Sequence, residues 1–303
     1  MPRNISHTVT KEEEGRTILS LLRGVLGFSA SQVRRMKESG GILLENTPAY
    51  TNQRVREGQV LLCRMEEDHS SQNILPVPGP LCIRYEDNDL LVLDKPAGVP
   101  VHPSQGHFTD SLANFLAYEM EENRGIPFVF RGINRLDRNT SGLLTVAKHP
   151  HAQHLLSRQL HTGEFHREYQ ALVCGAVRPG KGTVDAPILD IPGVLRRVIS
   201  PEGAPAVTHY ETLEEGGPYA LLRLWLETGR THQIRLHMSH IGHPLAGDFL
   251  YGTELPPPCP GHALHSSYIR LRQPITGETI QVKSPLPPFF SQLLQKTKEN
   301  KKG

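Results

Sequence analysis

The sequence predicts an α+β protein: a main domain with a mostly antiparallel mixed β-sheet and flanking helices, preceded by a small α/β module. Hydrophobic residues make up 37% of the 303 residues and charged residues 21%, so the chain can bury a core. After residue 80, apolar segments of strand length outnumber helical patterns. Several of these segments are joined by short turns that contain glycine or proline, which favours antiparallel neighbours.

The N-terminal segment predicts a polar lead-in of about 14 residues, followed by two helices and two strands. Apolar residues at helical spacing between 18 and 26 predict the first helix, which Gly27 ends. Ser29 or Ser31 can cap a second, basic helix, which stops at Gly40. Short apolar strands are then predicted at 42–44 and 60–63.

A change of composition between residues 66 and 80 predicts a linker. Serine, glutamine and asparagine give way to prolines and a glycine, which stiffen the chain. We therefore expect a domain boundary near residue 75, with a small module at 1–75 and the main domain at 76–303.

The main domain is predicted to combine strands with a few helices. One helix is expected at 110–118, one from His149 to Leu160, and one from Thr231, whose side chain can cap it, to Gly242. The tail at 293–303 is expected to be a frayed basic helix. Strands are predicted at 90–93, 143–147, 168–174, 206–213, 219–226, 262–271 and 279–283.

The segment RGINRLDRNTSGLLTVAK, residues 131–148, places a carboxylate on a loop that is fixed to a core strand. Asp137 lies between Arg135 and Arg138, whose positive charges favour its ionised form. Turn-forming residues at 139–142 lead into the apolar strand, and a polar side chain on such a loop is well placed for chemistry. A surface ion pair ahead of a strand is the alternative interpretation.

A second charged segment, ETGRTHQIRLHMSHIGHPLAGD, residues 227–248, predicts a helix with Arg235 beside its buried stripe. Histidines recur every third position at 237, 240 and 243, and Asp248 follows, so metal ligation competes with structural hydrogen bonding as an interpretation. Gly242 should end the helix before the last histidine, and the zinc motif H-E-x-x-H is missing from the sequence. We therefore predict no metal.

The net charge and the number and spacing of the cysteines limit the classes of protein to which this chain can belong. The 33 basic residues nearly balance the 31 acidic ones, so any binding of nucleic acid must depend on local patches. Four dispersed cysteines argue against a disulfide scaffold. A signal-peptide pattern and a long apolar run are both missing, so we expect a soluble, cytoplasmic protein that makes no membrane contact.

Four motifs, in this order, resemble the RNA pseudouridine synthases of the ribosomal large-subunit type. The opening EDNDLLVLDKPAGVPVHP also matches that family, and the similarity covers roughly residues 81–290. The resemblance implies isomerisation of uridine to pseudouridine in RNA without cofactor or metal, in which the base is detached, rotated and rejoined to ribose through carbon. The motifs are NRLDRNTSGLLTVAK, REYQALVCG, GRTHQIRLHMSHIGHPLAGDFLYG and HALHSSYIRLRQPITGE.

The same resemblance assigns the site residues. Asp137 would be catalytic, attacking the anomeric carbon or the uracil ring, or acting as a base on a glycal pathway. Arg235 would orient Asp137, Tyr169 would stack on the flipped uracil, and Leu264 would pack on the base from another side. Arg135 would support the loop or bind phosphate. Considered alone, Tyr169 fits a core aromatic and Arg235 fits a pair with some other carboxylate.

The helix, basic helix, strand and turn of the N-terminal segment resemble the small RNA-binding module first seen in ribosomal protein S-four. Arg34, Arg35 and Lys37 would then contact phosphates of the RNA. A solvated helix face is the alternative. One departure from the synthase family is Asn134, where many relatives have histidine. The difference matters because asparagine, unlike histidine, does not titrate near neutrality.

These features together predict a synthase that acts as a monomer on structured RNA. Ribosomal RNA is the expected substrate and transfer RNA the main alternative. An RNA-binding or ribosome-assembly protein that no longer uses its catalytic fold is a further hypothesis, and a histidine-based metal hydrolase is a remote one.

Overall fold

A computed structural model describes residues 4–65, 73–256, 259 and 261–299, and part of the predicted linker lies outside these ranges. Two separate β-sheets dominate the described chain. A four-stranded antiparallel sheet lies near the N-terminus in the order β1-β4-β2-β3. Its strands are β1 Asn4–Thr8, β2 Ile42–Leu44, β3 Thr47–Pro48 and β4 Val60–Arg64.

The predicted N-terminal helices pack on this sheet. The first is α1 Ile18–Ser20, which continues as a π-helical turn over Leu21–Val25, and the second is α2 Ala30–Glu38. Ser29 caps α2, because its hydroxyl accepts a hydrogen bond from the Gln32 backbone N–H at 3.2 Å. Both helices and the sheet share one hydrophobic cluster. Part of the predicted lead-in belongs to it as well, since Ile5 is buried on β1.

The large sheet has nine strands in the order β5-β6-β7-β14-β8-β13-β12-β9, with β15 paired to β14. Among the described strands of this sheet, the β7–β14 pairing is parallel and the other pairings are antiparallel, so the sheet is mixed and mostly antiparallel, as predicted. Its strands are β5 Ile83–Glu86, β6 Leu90–Lys95, β7 Ser141–Ala147, β8 His166–Cys174, β9 Lys181–Asp185, β12 Val207–Gly216, β13 Tyr219–Leu226, β14 Leu264–Arg272 and β15 Thr279–Lys283.

Six strands escaped prediction, and two of them, β1 and β3, are the edges of the small sheet. The strands β5 and β9 form the two edges of the large sheet, and two-residue strands, β10 Ile188–Leu189 and β11 Val198–Ile199, form a separate ribbon. Edge strands are half-exposed and short, so their sequences carry a weak apolar pattern.

Helices cover both faces of the large sheet. Helices α3 Leu112–Tyr118 and α5 Gln233–His240 supply residues to the hydrophobic cluster on one face, and α4 Pro150–Thr162 supplies residues to the cluster on the other. The C-terminal helix, α6 Pro288–Glu299, begins earlier than predicted because Phe289 and Phe290 are buried against the sheet. In the described parts of the chain, no helix has the length and apolar character needed to cross a membrane.

The predicted cap of α5 was wrong by one residue. His232 is the N-cap, with a left-handed backbone at φ 59°, and Thr231 precedes it. The side chain of Gln233 explains the difference, because its oxygen accepts hydrogen bonds from the Thr228 hydroxyl at 2.8 Å and from the Arg230 N–H at 2.9 Å. The turn that precedes the helix is therefore closed by the side chain of Gln233, the first helical residue, and not by the side chain of Thr231.

Gly142 allows the loop that bears Asp137 to enter the sheet. Its φ is 100°, and a Cβ at this position would lie 2.2 Å from the Ser266 carbonyl oxygen on β14. Only glycine permits this approach of β7 to β14. The loop ahead of β7 is thereby placed beside the strands that carry Tyr169 and Leu264.

The N-terminal helices contact the large domain through α4. The rings of Phe28 and His151 stack with their centroids 3.9 Å apart, and Gly27 approaches Leu155. Ile275, between β14 and β15, packs against the N-terminal cluster.

Candidate active site

One pocket brings together most of the residues that the sequence analysis selected. Asp137 reaches it from the loop before β7, Tyr169 from β8, Arg235 from α5 and Leu264 from β14, and Arg135 stands on its rim. The first four are thus delivered by four different elements, which converge only in the folded chain. We refer to this cavity as the Asp137 pocket.

Arg235 holds the Asp137 carboxylate in place. Its Nη1 donates a hydrogen bond to Asp137 Oδ2 at 3.0 Å, while its Nε and Nη2 donate to the two oxygens of Asp248 at 2.7 and 2.8 Å. Asp248 is fully buried and also accepts from the Leu250 and Tyr251 N–H groups. The bidentate pair fixes the guanidinium plane, so Asp137 is presented to the pocket in one orientation.

Within the trio of Asp137, Arg235 and Asp248, electrostatics keep the buried pair of Arg235 and Asp248 charged. Burial alone would lower the pKa of Arg235, but hydrogen bonding and the charges of Asp248 and Asp137 raise it overall. Burial alone would raise the pKa of Asp248, but Arg235 lowers it overall. The Asp137 side chain remains 20% exposed and is the part of the trio that a substrate can reach.

Tyr169 and Leu264 form the apolar wall of the pocket. They lie on the neighbouring strands β8 and β14 and are 4% and 5% exposed. Burial raises the pKa of the Tyr169 phenol; nearby Asp137 adds to the rise and Arg167 opposes it. The phenol is therefore neutral at physiological pH and offers a flat surface to a bound ring.

His232 is a site residue that the sequence analysis did not select. Its Nε2 lies 3.9 Å from Asp137 Oδ2, and its Nδ1 lies 3.1 Å from the Tyr251 hydroxyl. The backbone N–H of Arg197 donates to that hydroxyl oxygen at 2.8 Å, which leaves the hydroxyl hydrogen free to be donated to Nδ1. Burial lowers the pKa of His232, which favours the neutral ring. The histidine within the GRTHQ motif was the available signal.

Lys95 fixes the Asp137 loop from behind. It is fully buried, and its ammonium group donates to the carbonyl oxygens of Pro96, Val99 and Arg138 at 2.8–2.9 Å. Burial lowers the pKa of Lys95 to about 7, against the opposing effect of Asp137. Three carbonyls match the three hydrogens of the ammonium form. The sequence signal for a buried structural lysine was its position at the end of an apolar strand, within the motif DKPAG.

Comparison with known proteins decides the family. A family model for RNA pseudouridylate synthase matches residues 89–240, which include Asp137, Tyr169 and Arg235. The chain belongs to the RNA pseudouridylate synthase family. It is accordingly an enzyme that isomerises uridine in RNA.

Relatives of this synthase match from about three quarters to nearly all of the chain. It is 35% identical over 300 residues to an uncharacterized RNA pseudouridine synthase, YlyB, of Bacillus subtilis strain 168, covering 98% of this chain and 99% of that one. It is 42% identical over 234 residues to ribosomal large subunit pseudouridine synthase D of Pasteurella multocida strain Pm70, covering 72% and 71%. The solved structure of human RNA pseudouridylate synthase domain containing 1 matches with a TM-score of 0.58 at 29% identity, over 72% of this chain and 89% of that one.

Asn134 of the synthase has a structural position. It is buried, its Oδ1 accepts a hydrogen bond from the Thr145 N–H at 2.8 Å, and its Nδ2 donates to the Leu143 carbonyl at 3.3 Å. The amide thus binds the Asp137 loop to the backbone of β7. An asparagine does this without titrating.

The three histidines at 237, 240 and 243, in α5 and just after it, are hydrogen-bonded or solvent-exposed in the synthase. His237 bonds the Thr208 hydroxyl and the Ala186 carbonyl, each at 2.9 Å, and His243 bonds the Cys174 carbonyl. His240 is exposed at the end of the helix. Their side chains therefore serve separate hydrogen bonds. Within residues 4–65, 73–256, 259 and 261–299, no cluster of ligands suitable for a metal occurs.

The basic residues of α2 lie on a separate element. Arg34, Arg35 and Lys37 are all exposed, and Arg34 makes a long ion pair of 4.0 Å with Glu38. They do not line the Asp137 pocket. Arg135 is exposed on the rim of that pocket, where the sequence analysis expected a supporting or phosphate-binding residue.

Proposed function

We propose that the synthase converts specific uridines of ribosomal RNA to pseudouridine, and that Asp137 is the residue that acts on the target uridine. The observation that carries this proposal is the 3.0 Å hydrogen bond from Arg235 to Asp137 inside a pocket walled by Tyr169 and Leu264. A carboxylate so oriented can attack the anomeric carbon or the uracil ring, or take a proton from the ribose, and each route requires the ionised form.

The pocket fits a flipped nucleotide. Duplex and loop bases are stacked, so an enzyme that alters a base must extract it, and stacking on aromatic or apolar side chains offsets the cost of unstacking. Tyr169 and Leu264 supply two such surfaces, and Arg235 and Asp137 line the same pocket. We propose that the uracil ring is held between these side chains while its glycosidic bond faces Asp137.

Ribosomal RNA is the favoured substrate because relatives at about 40% identity are named as synthases of the ribosomal large subunit. Transfer RNA remains the alternative. A purely structural RNA-binding role is disfavoured by the assembly of Asp137, Arg235 and Tyr169 in a single pocket. We also propose that the synthase acts as a monomer in the cytoplasm, which light scattering of the purified 33.8 kDa chain tests for the oligomeric state.

The N-terminal module is proposed to bind RNA outside the pocket. Residues 1–75 would form this module and residues 76–303 the catalytic domain. Arg34, Arg35 and Lys37 give α2 an exposed basic face, suited to phosphates of a large folded RNA.

Release of tritium tests the role of Asp137. The new glycosidic bond forms at uracil carbon five, so a tritium atom there passes to water for every pseudouridine made. RNA labelled at carbon five is incubated with wild type, Asp137→Asn and the control Asp185→Asn, which makes the same change at an exposed position on β9. We expect wild-type release from the control and none above background from Asp137→Asn. Comparable release from all three would refute the assignment.

A further inference from the structure

A second cavity adjoins the Asp137 pocket, and arginines line the boundary between the two. We call this second cavity the outer groove; it is bounded by segments near residues 101–104, 132–136 and 227–230 and by parts of α4 and β8. Three arginines line both cavities, together with Leu136 and Gly229: Arg135, Arg167 and Arg230. A polyanion that passes from the groove to the pocket must therefore cross three guanidinium groups.

Arg167 is the unusual member of this set. It is only 8% exposed, on β8 two residues before Tyr169, and among the residues that the structure describes its Nε has no hydrogen-bond partner. In the described part of the chain no carboxylate forms an ion pair with it. Arginine stays protonated in proteins, and a buried charge without a counter-ion is costly. Folding has thus placed at the boundary of the pocket a cation that pairs with no carboxylate among the described residues.

Tyr169 shares a side-chain hydrogen bond with Arg167, and the other neighbours leave the rest of the guanidinium open to a ligand. A Cβ at position 229 would lie 3.4 Å from Arg167 Nη1, so Gly229 leaves room beside the guanidinium. Arg230 is exposed, with its Nε bonded to the Pro205 carbonyl at 3.1 Å, which leaves its terminal nitrogens free for a ligand. Glu227, an acidic residue that lines the outer groove, contacts His209 instead of Arg167: its Oε1 lies 2.8 Å from His209 Nε2.

We propose that Arg167, together with Arg135 and Arg230, binds a backbone phosphate of the nucleotide whose base enters the Asp137 pocket. The proposal rests on the proposed function, because it takes RNA as the ligand of that pocket. A phosphodiester supplies the missing counter-ion and accepts two parallel N–H bonds from one guanidinium. Fixing the phosphate at the boundary sets how far the ribose extends towards Asp137.

Binding to a charged and to a neutral probe tests this subsite. The charged probe is a fluorescein-labelled single-stranded oligouridylate of nine nucleotides, and the neutral one has the same sequence with methylphosphonate linkages. Each is titrated by fluorescence anisotropy, at several salt concentrations, with wild type, Arg167→Met and Arg167→Lys. The control is Arg270→Met, which removes an exposed arginine from the adjacent strand β14.

The subsite predicts a loss confined to the charged probe. Arg167→Met should bind it about tenfold more weakly or worse, since a charge-assisted hydrogen bond is lost, and the salt slope should fall by roughly 0.7 for each phosphate contact removed. Arg167→Lys should recover part of the loss. The neutral probe should bind all four proteins alike, and Arg270→Met should follow wild type.

Thermal unfolding distinguishes a phosphate-binding role of Arg167 from a structural role in holding Tyr169 in place. Removing an unpaired buried cation should leave the melting temperature of Arg167→Met unchanged or higher. A lower melting temperature would assign Arg167 to the fold and overturn the proposal. Equal losses with both probes, no loss with either, or a wild type that does not prefer the charged probe would overturn it as well.

These outcomes are independent of the catalytic assignment. If tritium release shows that Asp137 is dispensable, the binding difference between the two probes still reports on Arg167. If the Arg167 variant fails these tests while Asp137→Asn is inactive, the catalytic assignment stands without the phosphate subsite.

Discussion

At the scale of single residues, Arg235 determines the geometry of the site. It is 3% exposed and binds two carboxylates, one buried and one open to the pocket. The buried partner, Asp248, compensates the charge and fixes the guanidinium plane, so that the remaining donor is directed at Asp137. Asp248 is therefore a positioning residue, whose effect reaches the substrate through Arg235.

Asp248→Asn is expected to lower both stability and turnover. Asparagine keeps the shape but removes the charge that compensates Arg235, and breaking a buried pair costs about 3 kcal/mol of unfolding free energy. The freed guanidinium should let Asp137 shift, and displacement of a reacting group by about 1 Å costs roughly 100-fold in kcat. Urea unfolding and single-turnover tritium release measure the two effects.

Asp137→Asn is the matched comparison, because its carboxylate is partly exposed and lies on the other side of the same arginine. It should abolish turnover with a smaller loss of stability than Asp248→Asn. Wild-type kcat in Asp248→Asn would contradict the positioning role.

At the scale of elements, α4 combines local signals with a long-range contact. His149 caps it by accepting from the Ala152 N–H, Pro150 follows the cap, and Gly163 ends it with a left-handed backbone. These signals made the helix predictable from sequence. No local sequence pattern predicts the stacking of His151 on Phe28. Through this contact, α4 also forms the surface on which the N-terminal helices pack.

His151 is expected to make stability fall on the acid side. Burial lowers its pKa from an ordinary value of 6.5 to about 4, although the Leu26 carbonyl and Asp89 oppose this. Between those values the unfolded chain binds a proton that the folded chain does not, so the free energy of unfolding falls as pH decreases from 6.5 towards 4. Above pH 6.5 this contribution is fully present.

The substitution His151→Phe tests this effect. Phenylalanine keeps a ring against Phe28 but cannot be protonated, so unfolding free energy should decline less steeply between pH 7.5 and pH 5 than in wild type. Denaturant midpoints at the two values provide the measurement. Part of the decline should persist, since burial also lowers the pKa of His262 to about 4. An identical decline in both proteins would be inconsistent with this role of His151.

At the scale of the whole molecule, the small and the large sheet have separate hydrophobic clusters and meet where Phe28 stacks on His151. The Asp137 pocket belongs to the large sheet, whereas the basic face of α2 belongs to the small one. If the small module binds RNA outside the Asp137 pocket, its basic residues should determine the affinity for RNA, and the residues of the pocket should determine kcat.

The triple change Arg34→Ala, Arg35→Ala and Lys37→Ala tests this division. It should weaken binding of transcribed large-subunit ribosomal RNA and reduce the salt slope by up to roughly 0.9 per lost phosphate contact. kcat at saturating RNA should stay at the wild-type value. The control is Arg270→Ala, Arg272→Ala and Lys283→Ala, which removes three exposed cations from β14 and β15. Equal losses of affinity in both triple variants would indicate nonspecific charge effects instead of a dedicated module.

The sequence by itself determined the family and the mixed sheet, and it selected Asp137 as the candidate catalytic residue, because motif order, apolar periodicity and turn residues are local properties of the chain. It also predicted most strands and helices, but it missed the edge strands, whose apolar pattern is weak. Only the tertiary structure decided that Asp248 holds Arg235, that Asn134 binds the backbone of β7, and that Arg167 lies buried with no counter-ion in the described part of the chain. Each of these depends on groups far apart in sequence, and their distances are set by packing of the sheet and helices, which no local pattern records.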